Sequence, residues 1–152
     1  MLRLEERDPA DPAAQACLAA YYAELDARFA GGFRVKLSRD PDAADLLRPR
    51  GAFILAFDGD QPVGCIALKG TDGGYAEIKR MWTASDQRGR GLAKRLMQAA
   101  EDAAQDLGIT LLRLDTNSAL TDAIAIYRHW GWREILRFND DPYAEVFFEK
   151  SI

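Results

Sequence analysis

Histidine and cysteine are almost missing from this chain. His129 is the single histidine, and Cys17 and Cys65 are the only cysteines among 152 residues. Two cysteines make neither a disulfide framework nor a metal cluster, and one histidine leaves little material for a zinc site or a histidine-based triad. No apolar run approaches the roughly eighteen residues of a membrane span. The first residues, Met1-Leu-Arg-Leu-Glu-Glu-Arg-Asp, turn acidic at once and lack the apolar stretch of a secretory signal. There is no internal repeat and no low-complexity linker, so residues 1–152 read as one domain, expected to be cytoplasmic.

What is present is an ordinary globular composition, 48% hydrophobic and 29% charged, which argues against disorder. The net charge of −4 argues against nucleic acid as the main partner. Its distribution is uneven. Arg88, Arg90, Lys94 and Arg95 fall in a stretch without a single acid, so one basic patch sits on an otherwise acidic molecule. That pattern fits a small anionic ligand bound at one place.

Hydrophobic period divides the chain. Residues 2–7 alternate weakly, as a first strand would. Ala14, Leu18, Tyr21, Tyr22, Leu25 and Phe29 have helical spacing over residues 11–29, ended by Gly31-Gly32. Asp40-Pro41 reads as the cap and first position of a short helix through Leu47. From Ala52 the period becomes that of strands: Phe53–Phe57, Val63–Leu68 and Tyr75–Thr83, joined by turns at Asp58-Gly59 and Gly73-Gly74. Gly91 to Leu107 is the clearest helix, with Gly108 as its stop. A strand over 110–116, a helix capped by Thr121 and Asp122 and running to His129, and strands over 132–138 and 144–150 follow. This order predicts an α/β (α+β) fold, a mixed sheet with helices on both faces.

The chemistry concentrates in Gln87-Arg-Gly-Arg-Gly-Leu-Ala-Lys-Arg95, between a strand and a helix. Gly89 and Gly91 let backbone approach a ligand closely. The first N–H groups of a helix lack internal partners and stand at the positive end of its dipole, which suits phosphate. The helix also carries its charges in reverse, with Lys94 and Arg95 early and Glu101, Asp102 and Asp106 later. Each such charge costs about 0.3–1 kcal/mol when exposed, and a bound polyphosphate would turn the early part into attraction. A merely solvated helix would carry the same charges, but not the two spaced glycines at its mouth. Gly-x4-Gly-Lys-Ser/Thr is absent, and Lys94 stands where Gly-x-Gly-x-x-Gly needs its third glycine.

Arg88-Gly89-Arg90-Gly91-Leu92-Ala93 resembles the signature of the GNAT superfamily of N-acetyltransferases, Arg or Gln, two residues, Gly, one residue, then Gly or Ala. Glu77-Ile-Lys-Arg-Met-Trp-Thr83 is similar to that family's fourth strand, and Ala123-Ile-Ala-Ile-Tyr127-Arg-His-Trp-Gly131-Trp132 to its tyrosine segment. The resemblance implies a single acyl-CoA N-acyltransferase domain with a central sheet of about seven strands and about four helices, using acetyl-CoA as co-substrate and no metal. It implies that backbone from Arg88 through Lys94 (Gly89, Arg90, Gly91, Leu92 and Ala93 between them) holds the pyrophosphate. It implies too that main-chain groups of Met81, Trp82 and Thr83 pair with the pantetheine arm where strands four and five splay, and that Tyr127 sits near the sulfur. Leu120 stands where many members carry Asn, and Asn117 is the candidate substitute.

Amide formation needs a group that takes the amine's proton and one that helps the thiolate leave. Tyr127 is the candidate acid, against a reading as a core aromatic. Glu77 is the candidate base, directly or through water, against a salt bridge to Lys79 or Arg80. His129 reads as a helix C-terminal residue, Cys65 as core, and Trp82, Trp130 and Trp132 as pocket or packing. The acceptor pocket is expected from residues 20–50 and 136–144, including Tyr21, Tyr22, Glu24, Asp26, Phe29, Phe33 and Asn139–Tyr143. The acidic remainder of the molecule favours a cationic amine, small-molecule or peptide, such as a polyamine, an aminoglycoside or a protein N-terminus. No nucleic acid or membrane partner is expected, and a homodimer is left open. The alternative is a non-catalytic acyl-CoA sensor, which needs the loop but neither Tyr127 nor a base.

Overall fold

The change of period at Ala52 lays down three antiparallel strands whose alternate residues feed opposite cores. In the computed structural model, which describes residues 1–34 and 43–152, these are β2 (Ala52–Asp58), β3 (Gln61–Gly70) and β4 (Ala76–Thr83). Phe53, Leu55 and Phe57 pack with Ala14, Cys17 and Leu18 on one face; Ile54 and Ala56 pack with Leu92, Leu96 and Met97 on the other. The first face is covered by α1 (Pro12–Arg28), the second by α2 (Leu92–Asp106) and α3 (Thr121–His129). With β1 (Leu2–Glu6), β5 (Leu111–Thr116), β6 (Arg133–Ile135) and β7 (Val146–Ser151), the sheet has seven strands in the order β1-β2-β3-β4-β5-β7-β6.

Three α-helices and two 3-10 turns, Ala43–Leu46 and Ser85–Gln87, accompany the sheet among the described residues. The expected helix start at Asp40-Pro41 lies outside those residues. Thr121 is the first residue of α3 rather than its cap; Leu120 holds the cap position with no side-chain bond, and Asn117 Oδ1 accepts the Ala119 N–H just before it (2.9 Å). The strand expected over 132–138 shortens to three residues. Beyond it Arg137 donates to the carbonyls of Asn139 (3.1 Å) and Ala144 (2.6 Å), which closes a loop and ends pairing at an exposed edge. Among the described residues no helix is long and apolar enough to cross a membrane.

Two features position the site. Among the described residues the only parallel pairing, β4 with β5, holds just two residue pairs, Ala76↔Leu112 and Glu77↔Arg113, after which the strands part. β5 turns its other edge to β7 along its whole length. Within β4, Cys65↔Trp82 and Ala67↔Lys79 leave Arg80 and Met81 opposite Ile66 alone, a β-bulge, with Arg80 at φ 55°. Across the sheet, α2 presses onto β3 at Gly64, where a Cβ would lie 3.0 Å from the Trp82 carbonyl and 3.2 Å from Leu96. Glycine there lets the start of α2 sit low against the splayed strands.

Candidate active site

The splay opens a cleft of about 160 Å³. Its walls are Ile78–Met81 of β4 and Leu114–Thr116 of β5, then Asn117, Leu120, Ala123 and Tyr127; one face of α1 from Tyr21 to Arg28, with Phe29 and Phe33, and the loop at Asp141, Tyr143 and Ala144 close one side. Past Glu77, β4 has no pairing with β5, so its main chain on that side is available to an extended ligand.

The glycine loop stands where the sequence predicts, at the N-terminus of α2. Gly89 (φ 85°) and Gly91 (φ 75°) both adopt left-handed backbone, and Gly91 is the cap, with no side-chain bond. The first helical bond runs from Arg95 N–H to the Gly91 carbonyl (3.1 Å), so the N–H groups of Leu92, Ala93 and Lys94 have no partner within the helix. Arg88, Gly89, Arg90, Gly91 and Lys94 are exposed, whereas Leu92 anchors the loop in the core. Neighbouring carboxylates hold the loop's arginines: Arg88 donates to Glu24 (2.6 Å), and Arg90 reaches Gln87 and Asp58 (3.5 Å). Gln87, which the sequence alone did not single out, is buried and bonds Asp58 (3.5 Å), tying the loop to the end of β2. Uncapped N–H groups, positive-φ glycines and an unpaired strand edge fit a pyrophosphate with an extended arm.

Tyr127 is nearly buried, its ring 6.3 Å from Trp132 and 6.0 Å from Phe148, and it lines the cleft. Burial, and then the charge of Asp115, push its phenol well above the ordinary value; Tyr21 is raised in the same way, burial first. Tyr127 is therefore protonated throughout the working range.

The structure brings Tyr127, Met81 and Asn117 together in this cleft. Asn117 spends its amide on the loops, donating to the Tyr143 carbonyl (3.0 Å) and accepting from Ala119. Trp82 and Thr83 lie further along β4, opposite Cys65 and Gly64. Glu77 is not among the cleft residues. It is buried beside a second cavity on the same sheet face, lined also by Lys69, Tyr75, Arg137 and Phe138. There its Oε2 lies 3.6 Å from Lys79 and 3.8 Å from Lys69.

Most of the expected acceptor residues meet at the closed side. Tyr22 stacks on Phe33 (5.6 Å), Phe33 meets Tyr143 at a tilt (4.7 Å), and Phe29 approaches both Phe33 and Tyr143. Asp26 instead accepts the Phe33 N–H (2.8 Å) and holds the turn after α1. Asn139 and Asp140 border the second cavity. Arg28, within the expected 20–50 stretch, lines the cleft too; Asp115 and Lys79 also line it and were not expected there. The available signal was an acid near the carboxyl end of a strand, where open α/β sheets place their ligands.

Comparison with known proteins agrees with this geometry. The model of the acetyltransferase (GNAT) family matches residues 14–132. An IAA acetyltransferase from Azospirillum brasilense is 34% identical over 115 residues, which is 73% of this chain and 74% of that one. A GNAT family acetyltransferase from Staphylococcus aureus Mu50 has the same fold, with a TM-score of 0.84 over 99% of both chains at 19% identity. So does one from Elizabethkingia anophelis with acetyl-CoA bound, with a TM-score of 0.70 over 99% of this chain and 98% of that one at 15% identity. The chain belongs to the GNAT acetyltransferase family. It is an acetyl-CoA-dependent acyltransferase.

Proposed function

We propose that the protein transfers the acetyl group of acetyl-CoA to a primary amine by direct attack, with both substrates bound together. The observation that carries this reading is the cleft itself. One parting of two strands offers an unpaired edge beside the uncapped glycine loop, and Tyr127 faces the same space.

In this reading the backbone of Arg88–Lys94 receives the pyrophosphate, main-chain groups of Met81, Trp82 and Thr83 extend β4 along the pantetheine arm, and Asn117 keeps the cleft's far wall in place. Acetyl-CoA supplies the activated acyl group. Tyr127 faces the leaving sulfur. Because its phenol is raised, it serves as a hydrogen-bond donor and relay better than as a strong acid. Glu77 belongs to the machinery at one remove, behind Lys79. The aromatic wall and the cleft carboxylates favour a cationic acceptor, through ring faces and charge together.

The test is thiol release from acetyl-CoA across a panel of primary amines, beside calorimetric titration of acetyl-CoA. Binding with amine-dependent release supports the proposal. Binding with no release for any amine would move the protein to the non-catalytic sensor class.

A further inference from the structure

Three carboxylates line the cleft among the described residues, and two of them are committed elsewhere. Glu24 is held by Arg88 (2.6 Å) and faces Arg28 (3.8 Å). Asp141 is buried and accepts the Tyr143 N–H of its own loop (2.8 Å). Asp115 differs. It sits on β5 where the strands have parted, its side chain 14% exposed. Asn139 Nδ2 (2.7 Å) and Lys79 Nζ (3.5 Å) both address its Oδ2, and Oδ1 takes neither bond. Lys79 is shared in turn with Glu77 (3.6 Å), so Glu77, Lys79 and Asp115 form a charged chain from the second cavity to the cleft.

We propose that Asp115 is the catalytic carboxylate that receives the acceptor's ammonium group and takes its proton, and that Glu77 is a positioning residue, drawing Lys79 away so that Asp115 stays open to that ammonium. This rests on the acetyl-transfer reading and narrows its substrate to aliphatic amines that are cationic at neutral pH. One proton passes from the ammonium to Asp115 and later to solvent. The freed nitrogen bonds to the thioester carbonyl carbon, the carbon–sulfur bond breaks, and the second nitrogen proton reaches the sulfur by way of Tyr127. The products are an amide and free coenzyme A thiol. Among the described residues, the titratable and charged groups that share the cleft with this carboxylate are Tyr21, Tyr22, Glu24 and Arg28 from α1, Lys79 and Arg80 from β4, Tyr127 from α3, and Asp141 and Tyr143 from the closing loop, with Glu77 behind Lys79.

The test uses the intact protein with n-butylamine, and aniline as an amine uncharged at neutral pH. With coenzyme A present, Asp115→Asn should weaken n-butylamine binding about 10- to 100-fold, the range of a charge-assisted hydrogen bond, and leave acetyl-CoA affinity unchanged. Turnover should fall about 10²–10⁴-fold, and the gap should narrow as pH rises toward the amine's own pKa, where free amine is abundant. Asp115→Glu keeps the charge and should recover much of the binding; it also serves if the Asn variant does not fold. Glu77→Gln leaves Lys79 wholly to Asp115 and should raise the amine KM several-fold. Adding Lys79→Met should reverse that rise, which a merely structural role would not produce. Wild-type n-butylamine binding in Asp115→Asn, or tighter wild-type binding of aniline than of n-butylamine, overturns the proposal. If acetyl-CoA binds but no amine is acetylated, the acetyl-transfer reading fails while the binding arm still decides the role of Asp115.

Discussion

The two halves of the proposed site are built from different materials. At the proposed cofactor end the available groups are main chain: N–H groups at the mouth of α2 and the unpaired edge of β4, with glycine keeping side chains out of the way. At the proposed acceptor end, in the cleft, they are side chains from α1, β4, β5, α3 and the loop before β7. A main-chain site constrains only the backbone that makes it and tolerates change at its exposed side chains. A side-chain site depends on each residue and on every element that carries one.

That contrast can be attacked at its support first. Leu96 is fully buried under the start of α2, so Leu96→Ala should cost about 2–5 kcal/mol in urea denaturation. Cofactor affinity should fall alongside, because the helix mouth loses its seat on β3. Next comes Tyr127→Phe, which removes one hydroxyl from the acceptor end. Turnover should drop about 10²-fold, at the low end for a positioned acid, because a thiol of pKa roughly 8.5 leaves tolerably well alone. Acetyl-CoA affinity should be unchanged, and a wild-type rate with chemistry shown to be limiting would return Tyr127 to the core.

Gly91→Val is the mirror experiment. No neighbouring atom would touch the new Cβ, but φ 75° is strained for a β-branched residue by about 1–2 kcal/mol, and the side chain would stand where a phosphate approaches. Acetyl-CoA affinity should weaken about tenfold or more, with kcat at saturation largely kept. Wild-type affinity in a folded variant would remove the loop from the site. Raised salt should weaken wild-type acetyl-CoA binding in the same assay, since exposed charges are screened beyond about 8–10 Å.

The smallest effect is expected away from both ends. Bonds from Arg133 and Arg113 hold the Glu149 carboxyl below its ordinary value. A carboxyl lowered by folding lends its stabilisation in full above its unfolded value and loses it as pH falls through the native one. Thermal melts should therefore show Glu149→Gln less stable near neutrality by about 1 kcal/mol or less, with the difference from wild type vanishing in acid.

The same contrast explains what could be read in advance. Gly89 and Gly91 punctuate the sequence at fixed spacing, and the amphipathic run from Leu92 to Leu107 follows at once, so the glycine loop at the start of α2 and the central strands were legible from local pattern. Asp115 was not. Its importance depends on the parting of β4 from β5 and on Asn139 and Lys79, which come from other elements. Glu77 shows the converse. It lies on the expected strand, but at the last paired position, where its side chain opens to the second cavity. Strand periodicity gave no means of locating the residue at which two strands part. Nor did it foresee that the final strand lies inside its predecessor, because pairing order depends on long-range contacts.

That last placement has a bearing on how the molecule assembles. β5 meets β4 at two residue pairs and β7 at six, yet β7 follows only after α3 and β6. A chain extended through α3 could complete the β2–β4 hairpins by contacts close in sequence. It would still hold β5 by little more than its own hydrophobic side chains. The late, distant pairing is the slow kind, because a long loop must close before any ladder bond repays it. The parted edge of β4 thus borders a strand held mainly from its far side, and Asp115 keeps its place because Val146–Ser151 lies between β5 and β6.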